Sequence, residues 1–318
     1  MNIVVLDGAA LNPGDLSWDG FRELADVTVH DRTAPDAILE RAAGAEVLLT
    51  NKTPLTAETL ARLPDVRYIG VLATGYNVVD VKAAHRQGIV VTNVPTYGTQ
   101  SVAQMVFALL FALCRHVESH SQAVRRGAWS QAPDFCFWNT PQIELNNKTM
   151  GLVGFGRIGR ATARIADACG MRVMAADVNR SEPPALQDFR WAEIPTLLRE
   201  SDVVSLHCPL LPDTEGLINR DNLALMKTNA FLINTSRGPL VVDRDLAAAL
   251  DAEQIAGAAL DVLTAEPPAA DNPLLKARNC IITPHIAWAT YESRSRLCTT
   301  AEANLRAFLD GRPQNVVS

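Results

Sequence analysis

The sequence predicts an α/β protein with two doubly wound parallel-sheet domains, and three observations carry that prediction. Short apolar runs alternate with helical stretches over most of the 318 residues. The alternation comes as two series, one on each side of a segment at 100–126 that is almost free of helix breakers. The second series opens on Gly154-Phe155-Gly156-Arg157-Ile158-Gly159, a glycine-rich turn placed between a strand and a helix. The length suits about two domains, each large enough to bury a core.

In chain order, buried strands are expected at 3–6, 46–50, 68–71 and 90–92, with helices at 34–43 and 57–63 between them. Residues 100–126 predict one long helix crossing from one domain to the other. Residues 127–147 are rich in aromatics (Trp129, Phe135, Phe137, Trp138) and lack periodicity, as in a loop with a function or a partner. The second series predicts strands at 150–155, 171–177, 203–207, 230–234, 255–262 and 280–283. Helices are expected at 157–169, 194–200, 222–226 and 244–252, with Gly170 as a stop. A last helix at 291–309 runs into Gly311-Arg312-Pro313.

Composition narrows the function classes. Apolar residues make up 48% and charged residues 20%, and the net charge of −6 argues against a nucleic-acid surface. The densest basic cluster, Arg125-Arg126, suits a solvated helix end. The six cysteines show no C-x-x-C spacing and are expected as small reduced core residues in a reducing compartment. The start, Met1-Asn2-Ile3-Val4-Val5-Leu6-Asp7, has no basic region and fits a first strand rather than a signal peptide. The apolar run 105–114 is too short to span a bilayer. A cytoplasmic protein with neither nucleic acid nor membrane as partner is expected.

The G-x-G-x-x-G turn, within a unit at about 151–177, predicts a dinucleotide site. Gly154 permits the tight turn, Gly156 lets the backbone approach a pyrophosphate, and Gly159 lets helix and strand pack closely. The helix N-terminus supplies N–H groups and positive dipole for the anion. Asp177 ends the next strand, 18 residues after Gly159. A carboxylate there accepts from ribose hydroxyls and repels a 2′-phosphate, which favours NAD over NADP. Arg180 is a nearby cation that would suit a 2′-phosphate.

Three polar residues follow strands of the same predicted sheet. Arg237 lies in Asn234-Thr235-Ser236-Arg237-Gly238, Glu266 in Asp261-Val262-Leu263-Thr264-Ala265-Glu266, and His285 in Thr283-Pro284-His285. Each alone suits a turn or a structural role. Together, at the C-terminal strand ends where open α/β sheets bind ligands, they suit hydride transfer to a 2-keto acid. A guanidinium grips the carboxylate and polarises the carbonyl. A histidine delivers the proton, and a neighbouring glutamate is expected to favour its protonated form. Reduction is then favoured at lower pH and oxidation at higher pH. The set calls for no metal.

With these motifs in place, the chain resembles the D-isomer-specific 2-hydroxyacid dehydrogenase family over essentially its whole length. The likeness rests on the fingerprint, Leu206-His207-Cys208-Pro209-Leu210, Asn234-Thr235-Ser236-Arg237-Gly238, Ala259-Leu260-Asp261-Val262 and Thr283-Pro284-His285-Ile286-Ala287-Trp288. Phe135-Cys136-Phe137-Trp138 and His285-Ile286-Ala287-Trp288-Ala289-Thr290 are most similar to the branch that interconverts D-glycerate and hydroxypyruvate, and glyoxylate.

The resemblance implies roles residue by residue. Arg237 and His285 would contact the substrate, Glu266 would hold His285, and Asp261 would bond the nicotinamide carboxamide. Arg157 and Ile158 would line the pyrophosphate; Cys208, Thr235, Ser236 and Ala287 would line other parts of the cofactor. Thr74-Gly75 would meet the substrate carboxylate, Thr74 also touching the cofactor, and Lys52 would assist. The implied architecture inserts a Rossmann NAD-binding domain, 99–286, into a flavodoxin-like substrate domain, 1–98 plus 287–318, with the active site in the cleft. It also implies a homodimer, with Trp138 either reaching the partner's site or filling the core.

Departures and alternatives stand beside this. Gln104 occupies a position that is acidic in many members. Glu266 separates the chain from formate dehydrogenases of this fold, which resemble it but lack a glutamate in that role. A dehydrogenase for another 2-keto acid, and a nucleotide-sensing co-repressor-like binding protein, are the competing readings.

Overall fold

The first strands form where β-branched and apolar residues cluster between turn signals: β1 (Asn2–Val5), β2 (Asp26–Val29), β3 (Val47–Thr50), β4 (Tyr68–Val71) and β5 (Val90–Thr92). They pair in parallel in the order β2-β1-β3-β4-β5, the flavodoxin-like doubly wound order. Four short helices connect them: α1 (Asp19–Arg22), α2 (Ile38–Arg41), α3 (Ala57–Ala61) and α4 (Val81–Arg86). The Thr56 and Asp80 side chains cap α3 and α4 by accepting the Thr59 and Ala83 N–H groups. This computed structural model describes residues 1–180 and 185–318.

The second sheet has seven parallel strands: β6 (Thr149–Val153), β7 (Arg172–Ala176), β8 (Phe189–Trp191), β9 (Val203–Leu206), β10 (Phe231–Asn234), β11 (Gly257–Leu260) and β12 (Cys280–Ile282). Their order is β12-β11-β10-β9-β6-β7-β8. Sequence-adjacent strands run outward in both directions from the β6–β9 pair, which is the switch point of a Rossmann sheet. Its helices are α5 (Thr99–Arg115), α6 (Val117–Arg125), α7 (Arg157–Ala168), α8 (Ile194–Glu200), α9 (Arg220–Leu223) and α10 (Asp243–Asp251). Every residue of β6, β9, β10 and β11 is buried, as a sheet covered on both faces requires. Met150 and Leu152 enter one apolar cluster, and Val153 enters the other.

The chain divides into two compact units, Met1–Gly98 with Ala289–Ser318, and Thr99–Trp288. The last helix, α11 (Tyr291–Leu309), belongs to the first unit. There Phe308 packs on the buried Tyr68 ring at 4.9 Å, and Asn304 donates to the Asn93 carbonyl. Arg294 is nearly buried and donates to both Asp15 oxygens at 2.7 and 2.6 Å.

Several expectations need correction. The single helix at 100–126 is two helices, α5 and α6, bent by 54°, and both lie inside the second unit. His116 breaks them with a left-handed φ of 45°. The Cys114 carbonyl freed there accepts the Ile143 N–H, so the break is paired rather than frayed. The helix at 34–43 is a 3-10 turn followed by the four residues of α2. The helix expected at 222–226 starts earlier, because Asn219 caps Asp221 and Asn222. All six cysteines are free, but Cys136 is exposed rather than in a core. Trp138, at 67% exposure, does not fill the core. Among the described residues no single helix is long and apolar enough to cross a membrane.

Candidate active site

The glycine turn after β6 takes its shape from what its glycines leave out. Gly154 has a φ of +93°, and a Cβ there would lie 2.4 Å from the Cys208 nitrogen. A Cβ on Gly159 would lie 2.4 Å from the Gly154 carbonyl oxygen. Side chains at either position would force β6, α7 and the β9 exit apart. At Gly156 the added Cβ meets nothing within 4 Å, which leaves a cradle beside the start of α7. Gly156 is the N-cap of α7 and offers no side-chain acceptor, so the helix start stays available to an anion.

Asp177 closes the other side of this turn. Its carboxylate accepts the Phe155 N–H at 2.5 Å and the Asn179 N–H at 2.9 Å. It therefore fastens the fingerprint to the end of β7 as well as presenting negative charge there. Arg180 turns away: its guanidinium donates to Glu193 at 2.7 Å and to the Ala192 carbonyl. It bonds the Asp177 backbone carbonyl rather than the side chain. The cation that would have suited a 2′-phosphate is thus engaged elsewhere.

Between these ends, Ser236 Oγ donates to the Cys208 carbonyl at 2.8 Å. Thr235 Oγ1 is buried with no partner among the described residues. A buried hydroxyl without a partner is uncommon and marks a place where a ligand would supply one. The open cradle at Gly156, the unpartnered Thr235 and the Asp177 carboxylate fit a dinucleotide. Burial pushes the neighbouring His207 down to about 4 and the Cys208 thiol up to about 11, so both are neutral at pH 7.

The three candidate polar groups sit at the ends of three adjacent strands. Arg237 follows β10, Glu266 follows β11 and His285 follows β12. The buried Asn234 side chain shapes the first loop. Its amide donates to the Arg237 carbonyl at 2.8 Å and its oxygen accepts the Ser236 N–H at 3.0 Å. Gly238 then packs so closely on the Leu263 and Thr264 backbone that a Cβ would overlap it at 1.9 Å. The Arg237 side chain stays exposed.

His285 Nδ1 bonds Glu266 Oε2 at 2.6 Å, and Glu266 Oε1 accepts the Leu263 N–H at 3.1 Å. The glutamate therefore takes one ring nitrogen and leaves Nε2 as the atom that can exchange a proton with a ligand. The His285 backbone is left-handed, with φ 55°, which costs about 1–2 kcal/mol for a non-glycine residue. It is held there by its N–H to the Asp261 and Thr283 carbonyls and by the Trp288 indole, which donates to its carbonyl at 2.9 Å.

Asp261, expected from the resemblance at the nicotinamide carboxamide, also braces this loop. It is 1% exposed. Its carboxylate accepts Thr283 Oγ1 at 2.6 Å, the Ile286 N–H at 2.9 Å and the Ala287 N–H at 2.8 Å. The residue thus braces the whole loop that presents His285. Ala287 is buried, with its carbonyl accepting Ser101 Oγ at 2.5 Å. The only sequence signal was position: Asp261 directly follows an apolar strand, where a lone carboxylate is unexpected.

In the first unit, Lys52 and Thr74-Gly75 follow β3 and β4, again at C-terminal strand ends. Lys52 and Thr74 are exposed. Thr74 Oγ1 donates to the Val94 carbonyl at 2.8 Å, and Asn93 Nδ2 donates to the Thr74 carbonyl at 2.7 Å.

Residues 107–287 match the family model described as D-isomer specific 2-hydroxyacid dehydrogenase, NAD binding domain. The chain belongs to the D-isomer-specific 2-hydroxyacid dehydrogenases. It is an NAD-dependent oxidoreductase of that family. It is 51% identical over 321 residues to a hydroxypyruvate reductase of Blautia hydrogenotrophica, covering 100% of each chain. It is 42% identical over 285 residues to a glycerate dehydrogenase of Methylorubrum extorquens, covering 89% of this chain and 88% of that one. Among solved structures, D-lactate dehydrogenase with NAD+ from Lactobacillus jensenii aligns over 100% of both chains, with a TM-score of 0.82 and 29% identity. The residues described above fall in two groups, one around the glycine turn after β6 and one at the ends of β10, β11 and β12.

Proposed function

We propose that this dehydrogenase interconverts hydroxypyruvate and D-glycerate, and reduces glyoxylate, with NAD(H). The full-length likeness to a hydroxypyruvate reductase and to a glycerate dehydrogenase supports the substrate. The observation that carries the mechanism is the 2.6 Å bond between His285 Nδ1 and Glu266, next to the strand end that carries Arg237. The cofactor, when bound, supplies or accepts the hydride. Arg237 holds the substrate carboxylate and polarises the carbonyl. His285 delivers a proton from Nε2 to the carbonyl oxygen during reduction and takes it back during oxidation, while Glu266 keeps the ring in that orientation. Reduction consumes one proton per turnover, so lower pH favours it.

Gly154, Gly156, Arg157, Ile158, Gly159 and Asp177 hold the dinucleotide on this reading, with Thr235, Ser236, Cys208, Asp261 and Ala287 along its length. Lys52 and the Thr74-Gly75 backbone meet the substrate carboxylate. The engagement of Arg180 by Glu193 supports a preference for NAD over NADP. The enzyme works in the cytoplasm as a homodimer, with neither nucleic acid nor membrane as partner. The exposed aromatics Trp129, Phe135 and Trp138 support a second copy as the partner, since exposed apolar patches mark interfaces. On this reading Trp138 reaches the partner's site.

The deciding assay follows NADH oxidation against hydroxypyruvate, glyoxylate, pyruvate and bulkier keto acids, repeated with NADPH. Hydroxypyruvate and glyoxylate should be the preferred pair, with NADH over NADPH. Preference for a bulkier keto acid would replace the substrate, and turnover of none of them would replace the function.

A further inference from the structure

A carboxylate in the first unit stands apart from the residues assigned so far. Asp7 lies two residues past the end of β1 and is 9% exposed. Its Oδ1 accepts the Asn51 N–H at 2.7 Å, and its Oδ2 accepts the Lys52 and Thr53 N–H groups at 2.6 and 2.7 Å. Three successive backbone N–H groups thus converge on one internal anion, an arrangement of the kind that elsewhere binds phosphate or carboxylate ligands. Here the protein fills it with its own side chain. Without this acceptor three N–H groups, two of them on the buried residues Asn51 and Thr53, would lose their partner.

The brace extends to the next strand end. Asn51 Nδ2 donates to the Leu72 carbonyl at 2.7 Å, and the Leu72 N–H donates to the Thr50 carbonyl. Two residues further on lies Thr74, held from its other side by Asn93. The backbone at Lys52 is therefore fixed, while its side chain is exposed and its ammonium has no carboxylate within ion-pair distance among the described residues. A pinned backbone carrying an uncommitted cation is how a protein pre-orients charge for a ligand.

We propose that Asp7 is a positioning residue for the substrate carboxylate. By taking the N–H groups of Asn51, Lys52 and Thr53 it sets the direction of Lys52, and through Asn51 it sets the Thr74-Gly75 loop. This rests on the reading that Lys52 and Thr74-Gly75 meet the substrate carboxylate. The ligand concerned is the one-charge carboxylate of a small 2-keto acid.

A double-mutant cycle on the full-length enzyme tests it, with hydroxypyruvate and NADH as the probes. Asp7→Asn keeps the side chain's shape but loses one acceptor oxygen, and Lys52→Met removes the charge. Asp7→Asn should raise the hydroxypyruvate KM about tenfold and leave the NADH KM within about twofold. In the Lys52→Met background the same change should add less than about twofold, because the group it orients is gone. If Asp7→Asn does not fold, Asn51→Ser decides alone, since it removes only the tie to Leu72; it should raise the hydroxypyruvate KM about threefold without moving the NADH KM. A Lys52→Met enzyme with an unchanged hydroxypyruvate KM overturns the reading of Lys52 and the proposal with it. A raised KM in Lys52→Met combined with equal Asp7→Asn losses in both backgrounds, or with an equal rise in the NADH KM, overturns the proposal alone.

Discussion

Beyond β6 and β7 the edge of the seven-stranded sheet is shaped by side chains that are missing, whereas beyond β10, β11 and β12 it is shaped by side chains that are held. At the first end, Gly154 leaves out an atom that would collide with the Cys208 backbone and Gly159 one that would collide with the Gly154 carbonyl, and one carboxylate, Asp177, ties the turn down. At the second end, Asn234, Asp261 and Glu266 spend their hydrogen bonds on orienting Arg237 and His285. A dinucleotide needs close backbone approach, which only small residues permit. Proton transfer needs one ring nitrogen in one place, which only braced side chains supply. The two ends should therefore fail separately when altered.

The largest separation is expected at His285. His285→Ala should lower kcat for hydroxypyruvate by about 10³-fold while the protein folds normally, as loss of a general acid does. Steady-state turnover with matched thermal melts checks it, and near-native turnover would remove His285 from the mechanism. Glu266→Gln should cost less, about 10²-fold in kcat, because the amide still bonds Nδ1 but no longer balances the imidazolium charge. A KM change with unchanged kcat would instead make Glu266 a binding group.

At the dinucleotide end the expected effects fall on KM. Asp177→Ser should raise the NADH KM about tenfold and narrow the preference over NADPH, since the ribose acceptor and the repulsion of a 2′-phosphate go together. An unaltered NADH-to-NADPH ratio would mean that Asp177 serves only the Phe155 turn. A further effect concerns stability and not turnover. Burial pushes His207 from 6.5 down to about 4, so between those values the unfolded chain binds a proton that the folded chain refuses. Its contribution is fully present above about pH 6.5 and is lost as pH falls toward 4. Urea unfolding at pH 7.5 and 4.5 should show this slope flattened in His207→Gln; an identical slope would assign acid sensitivity to other groups.

Legibility in the sequence followed the same division. The glycine turn, Asp177 and every strand of the second sheet except β8 were visible because glycine spacing and buried apolar runs are local signals. β4 and β5 fall at 68–71 and 90–92 as expected. β2 and β8 were not visible. β2 is an edge strand with half its residues exposed, and β8 is three residues long, held by the Phe155, Phe189 and Trp191 rings at 5.1–5.3 Å. Phe155 lies more than 30 residues before the other two rings, so no window contains its contacts with them. The break at His116 escaped notice because no glycine or proline marks it; the partner that satisfies Cys114 is Ile143, 29 residues on. Arg237, Glu266 and His285 could be named from their places after strands, and the Glu266–His285 bond is present. The bracing carboxylates Asp7 and Asp261 could not be given that role, because all but one of their partners, the Thr283 hydroxyl, are backbone N–H groups that carry no sequence signal.

Fluorescence titration of NADH into Arg237→Ala/His285→Ala tests the division between the two ends most directly. The account predicts a Kd within about twofold of the unaltered enzyme, together with hydroxypyruvate turnover below about one part in 10³. A Kd raised more than about tenfold would contradict it, since the acid–base end would then be holding the cofactor.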